Sequence, residues 1–162
     1  MQINRLANVF RPQAAFTLIE IISVLILISI LAAVAVPRFL DTGAEERVAV
    51  DTFKVHLRYA QLKSMYSDMS WGVASQNPNE YFMYNNGTLA NKVRFMGEEE
   101  DTVSLPSGVN ISDFTLSYDD WGRPFIGNEA NTENGTLVPE SGLSITIGDT
   151  SMTILHDTGF IQ

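Results

Sequence analysis

Apolar residues are crowded near one end of this chain and then change period. From Phe16 to Val36 the run FTLIEIISVLILISILAAVAV holds 21 residues with a single charge, Glu20. At 1.5 Å per residue, a helix of that length is roughly 31 Å long, the thickness of a bilayer's hydrocarbon core, so the run predicts one membrane span. Pro37 removes a backbone donor and predicts a kink, with Gly43 as a second soft point. Beyond it Val48, Val55, Tyr59, Leu62 and Tyr66 share one helical face, and Val50, Phe53, Leu57 and Ala60 lie nearly opposite. Lys54, His56, Arg58 and Lys63 occupy the flanks. Two opposed apolar stripes predict a helix covered on both sides, by its own domain on one and by neighbouring helices on the other.

From residue 71 the helical period gives way to short alternating runs. Strands are predicted at Trp71 to Ser75, Tyr81 to Tyr84, Thr88 to Met96, Val103 to Leu105, Val109 to Tyr118, Leu143 to Ile147 and Ser151 to Leu155, separated by Gly, Asn, Asp and Pro. Asn86-Gly87 is a hairpin turn signal and Gly148-Asp149 predicts another. Residues 127 to 136 are polar enough to read as a long flexible loop.

Composition sharpens this picture. The 162 residues carry 19 acids and 10 bases, a net charge of -9, which argues against a protein built to neutralise phosphates. With no cysteine, disulfides, thiolate metal sites, a cysteine nucleophile and a lipidated cysteine are excluded. The flanks of the apolar run orient it: Arg5 and Arg11 precede it without an acid, whereas Arg38 is soon followed by Asp41, Glu45 and Glu46. The positive-inside rule puts the N-terminus in the cytoplasm and residues 37 to 162 outside. Glu20 then stands out. A carboxylate costs up to about 2.5 to 3.5 kcal/mol at the centre of a membrane helix, less near its end, and calls for a partner.

A short polar leader ending in Ala14-Ala15 abuts the apolar run directly, an order unlike that of a secretory signal peptide. Ala15-Phe16-Thr17-Leu18-Ile19-Glu20, with Pro37 further along, resembles the cleavage and N-methylation signal of type IV pilins and type II secretion pseudopilins. The resemblance implies cutting between Ala15 and Phe16 by a prepilin peptidase, methylation of the new Phe16 amine, and packing of the apolar helix into a filament core. It also gives Glu20 a partner, the Phe16 ammonium of a neighbouring subunit. The family usually carries glycine where this chain has Ala15. Three shorter segments, Leu57-Arg58-Tyr59-Ala60-Gln61, Asp120-Trp121-Gly122-Arg123-Pro124 and Asp157-Thr158-Gly159-Phe160-Ile161, are similar to the GspH/FimT group of minor pseudopilins and minor pilins.

The resemblance implies a pilin-like α+β fold: a long N-terminal helix, half transmembrane and half amphipathic, packed on an antiparallel β-sandwich. The expected divisions are a leader at 1–15, a transmembrane and filament-core helix at 16–36, an amphipathic helix at 37–68 and a β-rich domain at 69–162. The expected role is a minor structural subunit of a secretion pseudopilus or a type IV pilus, anchored in the bacterial inner membrane with its C-terminal domain in the periplasm. Its partners would be other pilins or pseudopilins, the prepilin peptidase and methyltransferase, and secreted substrates. A DNA-binding FimT-like minor pilin and a major pilin are the alternatives, nucleic acid being disfavoured by charge.

Catalytic chemistry is sparse. The chain has no G-x-S-x-G elbow, P-loop or H-E-x-x-H motif, so no catalytic residue, cofactor or metal is assigned and no enzyme is expected. His56 and His156, the two histidines, are read as solvated or capping. The contiguous acids Glu98 to Asp101 lack the alternating spacing of a calcium loop and read as solvated. Asp119-Asp120 reads as part of a turn with a packed Trp121, and the sequons at Asn86 and Asn134 as turn chemistry.

Overall fold

The computed structural model describes residues 16–39, 43–130 and 135–162, so the leader and Ala15 lie outside the described residues. The chain divides into two compact units, Met1–Asp41 and Thr42–Gln162. The first contains helix α1, Leu18–Phe39. It runs through Pro37 and ends two residues later; the Pro37 side chain is outside the described set.

The second unit opens with α2, Gly43–Met65. Glu45 and Glu46 in its first turn and Lys63 in its last complement the helix dipole. Its two apolar sets meet different fates. Val50, Phe53, Leu57 and Ala60 are buried, joined by Ala49, His56 and Ser64, whereas Val48, Val55, Leu62 and Tyr66 are exposed. Leu57 is fully buried, and a leucine removed from water contributes about 1.5–3 kcal/mol.

Among the described residues nine strands follow: β1 Trp71–Asn77, β2 Glu80–Asn85, β3 Thr88–Val93, β4 Thr102–Ser104, β5 Phe114–Tyr118, β6 Pro124–Ile126, β7 Thr136–Leu137, β8 Leu143–Ile147 and β9 Thr150–Ile154. The first seven form one antiparallel sheet in the order β3-β2-β1-β5-β6-β7, with β4 sharing the outer edge of β2. β8 and β9 form a separate hairpin. The expected sandwich is therefore one broad sheet plus a hairpin. α2 and the hairpin share a single buried cluster with Val73, Tyr81, Met83 and Leu116 of the sheet, so a helix occupies much of the layer a second sheet would fill. Neighbouring strand residues on the other face, Ala74, Phe82 and Tyr84, form a smaller cluster, as period-2 alternation requires.

Local chemistry accounts for the connections. Asn86 and Gly87 both take positive φ, 53° and 67°, the type I′ geometry of a two-residue hairpin between β2 and β3. Glu46 Oε1 on α2 accepts from the Asp149 amide at 3.1 Å and the Thr150 hydroxyl at 2.7 Å, which fastens the β8–β9 turn to the helix. The strand expected over Val109 to Tyr118 is shorter. Its first part leaves the sheet, where Ile111 bridges Ile147 and the Ser112 amide donates to Thr146 O, so the segment serves two sheets in turn. β6 and β7, three and two residues long, fall below any detectable period. β7 occupies part of the segment expected to be loop. The C-terminus pairs with β9 through Ile161 and Gln162.

Candidate functional site

At the start of α1 the backbone and side chains of Phe16 to Glu20 form a small capped unit. Thr17 Oγ1 accepts from the Glu20 amide at 3.3 Å, and Thr17 O accepts from the Glu20 and Ile21 amides at 3.1 and 3.2 Å. Thr17 is thus the N-cap and Glu20 the third helical residue, the Thr-x-x-Glu spacing of a capping box. The Glu20 carboxylate lies at the positive end of the helix dipole. Two other polar residues of the helix are satisfied internally: Ser23 Oγ donates to Glu20 O at 2.9 Å and Ser29 Oγ to Leu25 O at 2.7 Å. Glu20 differs, having no ion-pair partner among the described residues. It borders a shallow apolar depression of about 290 Å³ with Phe16, Ile21, Val24 and Leu25. Phe16 is 77% exposed, and the large apolar residues from Leu18 to Leu31 are exposed around the whole helix. Among the described residues no helix is long and apolar enough to cross a membrane, so the span expected over residues 16–36 is not shown by the fold.

A second constellation lies in the other unit. Gln61, on α2, donates from Nε2 to Gly122 O and to Thr158 O, both at 2.8 Å. One amide thereby joins the helix, the Asp119–Pro124 turn and the C-terminal turn, bringing together the three short segments singled out in the sequence. Glycine is required at both contacts. Gly122 and Gly159 have φ of 77° and 62°, and a Cβ on Gly159 would lie 2.7 Å from Gln61 Nε2. The Asp119 carboxylate braces the turn. Its Oδ1 accepts from the Trp121 and Arg123 amides at 3.0 and 2.8 Å, and its Oδ2 from Arg123 Nε at 2.7 Å. Contrary to the expected packed indole, Trp121 is 80% exposed, because the brace holds the turn's backbone inward and leaves the side chain outside. Phe160, after Gly159, is exposed as well.

His56 also departs from expectation. It is buried, its ring stacked on Phe95 at a centroid distance of 4.1 Å, its Nδ1 2.8 Å from the Tyr81 hydroxyl and its Nε2 3.6 Å from Glu98. Burial holds the imidazole below its ordinary pKa, with the Glu98 carboxylate pulling the other way. The same burial raises the Tyr81 phenol. His156 is half-buried, its Nδ1 against Val138 O and its Nε2 3.1 Å from Asp157. Glu99, Glu100 and Asp101 are exposed, and no group of three His, Asp or Glu positioned for a metal occurs among the described residues. Ser64, which the sequence reading did not single out, is fully buried. It donates to Tyr118 O at 2.6 Å and accepts from the Trp71 amide at 2.7 Å, tying α2 to β5 and β1. Its position seven residues after Leu57, on the buried face, was the available signal.

Set against known families, the capped apolar segment is the part that finds a counterpart. Residues 10–36 match the prokaryotic N-terminal methylation motif. The methylation motif is the type IV pilin and pseudopilin signal, and it supports a place in the pilin-like superfamily. It implies processing by a prepilin peptidase and assembly with other pilins, and it is what speaks for a membrane anchor. The motif spans Ala15, Phe16, Thr17 and Glu20, so the N-cap found at Thr17 lies within it. Neither the curated proteins nor the solved structures contain a match to the chain.

Proposed function

We propose that this chain is a structural minor subunit, a pseudopilin or minor pilin, of a type II secretion pseudopilus or a type IV pilus. The observation that carries the reading is the methylation motif over residues 10–36, whose helix presents apolar side chains in all directions and one unpaired carboxylate, Glu20, in its first turn. Cleavage between Ala15 and Phe16 creates an ammonium at the head of α1. A methylated Phe16 ammonium of one subunit and the Glu20 carboxylate of the next neutralise each other as the apolar helices pack, which removes the cost of a lone charge in an apolar core. Before assembly the same segment anchors the protein in the inner membrane, N-terminus in the cytoplasm, with Pro37 at the exit and residues 69–162 in the periplasm. The role is structural, with no catalytic chemistry of its own.

Support for the GspH/FimT assignment comes from the Gln61 junction. Three segments similar to that group, far apart in sequence, are held by one side chain. The assignment implies initiation or tip assembly of a filament and a part in protein export. Mass spectrometry of the native protein tests processing: an N-methylated Phe16 terminus is expected, and an intact Met1 in cells with an active prepilin peptidase would reduce the chain to a simple anchor. Quantitative proteomics of sheared filaments tests the minor role, since a dominant abundance would make the chain the major pilin.

A further inference from the structure

The two turns that Gln61 holds on α2 carry Trp121 and Phe160, and both rings are exposed. Leu62 and Met65, on the adjoining helix, are half-exposed beside them. The pieces are contiguous. A Cβ on Gly122 would lie 2.9 Å from Met65 Sδ, and Phe160 lines an open depression of about 360 Å³ together with Arg58 and Leu62. An apolar patch left in water by a domain with a filled core marks a contact site. It is also held in place before any partner arrives. The Asp119 carboxylate accepts from the Trp121 and Arg123 amides, and Leu155 exchanges backbone bonds with Gly159 and Phe160 at 3.1 and 2.8 Å, so docking does not have to order the turns.

Charge selects the partner. Asp120 precedes Trp121, Asp157 lies in the turn that carries Phe160, and both carboxylates are exposed. Asp120 has no ion pair among the described residues, and Asp157 has only the His156 ring at 3.1 Å. Nearby bases are engaged: Arg123 Nε is 2.7 Å from Asp119, and Lys63 sits over the Tyr59 and Trp71 rings, while Arg58 borders the depression. Residues 43 to 162 contain seventeen acids and seven bases, so the domain draws in cations and repels phosphate and its own copies. We infer that this patch docks a basic amphipathic segment of a different protein, its apolar side chains on Trp121, Phe160, Leu62 and Met65 and its lysines or arginines beside Asp120 and Asp157. The flexible Met65 thioether adapts to an apolar face, and the exposed rings attract cations through their π systems. Acids around an apolar patch are the complement of a helix with one basic and one apolar face. The inference concerns one patch of the second unit and stands independently of the filament reading.

The test titrates the full-length chain, in a non-ionic detergent, into dye-labelled amphipathic peptides of about five helical turns, with detergent alone as reference. Fluorescence anisotropy should show saturable binding of a leucine–lysine peptide and none of its leucine–glutamate counterpart. Trp121→Ala and Phe160→Ala should each weaken binding about tenfold, as anchors at the centre of a contact do. Trp121→Phe should retain most of it, which separates loss of the ring from loss of the fold. Asp120→Asn with Asp157→Asn should also weaken binding about tenfold, whereas Glu99→Gln with Glu100→Gln, an equal change of net charge in the β3–β4 connection, should leave it unchanged. Equal weakening by the two charge pairs would mean attraction by bulk charge and would overturn the assignment. So would an absence of leucine–lysine binding, undiminished binding by Trp121→Ala, or a chain that instead self-associates or binds DNA through Trp121.

Discussion

The Nδ1 of His56 lies 2.8 Å from the hydroxyl of Tyr81, the two rings enclosed between α2 and β2. Phe95 stacks on the imidazole, and Glu98 stands 3.6 Å from its far nitrogen. Because burial lowers the folded pKa below the ordinary value of 6.5, the fold binds the neutral ring. Between the folded pKa and 6.5 the unfolded chain holds more protons, so stability is fully present above 6.5 and is lost as pH falls toward the folded pKa. Urea midpoints of the Thr42–Gln162 domain should decline below pH 6.5, and His56→Phe should remove that part of the slope. An unchanged slope in the variant would place the titration elsewhere.

Gln61 closes the junction of three segments, and truncating it leaves the Gly122 and Thr158 carbonyls without their donor. Gln61→Ala should cost roughly 1–3 kcal/mol. Because the lost contacts are at one end of the domain, hydrogen exchange at the Gly122 and Gly159 amides should quicken before global unfolding. Gln61→Glu should be worse, since an acceptor would then face two acceptors.

Gly72 lies on β1 where a Cβ would meet Leu116 O and the Tyr84 ring, each at 2.4 Å. The carbonyl is fixed by the β1–β5 pairing and the Tyr84 hydroxyl is held by Leu116 O and Gly127 O. Neither can withdraw, so Gly72→Ala should destabilise the domain by roughly 2–3 kcal/mol in a denaturation experiment.

Tyr118 offers the opposite case. Its hydroxyl is buried without a hydrogen-bond partner among the described residues, and burial alone raises its pKa. Tyr118→Phe removes an uncompensated polar group and should raise stability by about 1 kcal/mol, measured as a higher urea midpoint at unchanged slope.

Glu20→Gln separates insertion from assembly. Thr17 caps α1 through the Glu20 backbone amide, which the substitution leaves intact, so the helix should form and Phe16 should still be exposed by cleavage. Entry into filaments should fall sharply, because the amide cannot neutralise a neighbour's ammonium. Normal incorporation, judged by immunoblot of sheared filaments, would remove the assembly role.

Period and punctuation are local properties, and what they control was legible in the chain alone. The apolar run beginning at Phe16, the two opposed stripes on α2, the Asn86-Gly87 turn and the β8 strand follow from side-chain spacing and backbone sterics, which act over a few residues. The Phe16 to Glu20 segment was legible through its resemblance to the pilin and pseudopilin signal, and its Thr17 cap became visible only in the hydrogen bonds. Long-range geometry decided the rest. His56 falls on a flank by angle, and Phe95, Tyr81 and Glu98, 25 to 42 residues later in the chain, converge to bury it. Trp121 has the composition of a core residue, yet the bonds from Asp119 turn it outward. A spacing rule cannot see that Gln61 reaches Thr158 across 97 residues, because nothing between them repeats. Only the closing of the C-terminal turn onto the end of α2 brings that carbonyl within 2.8 Å.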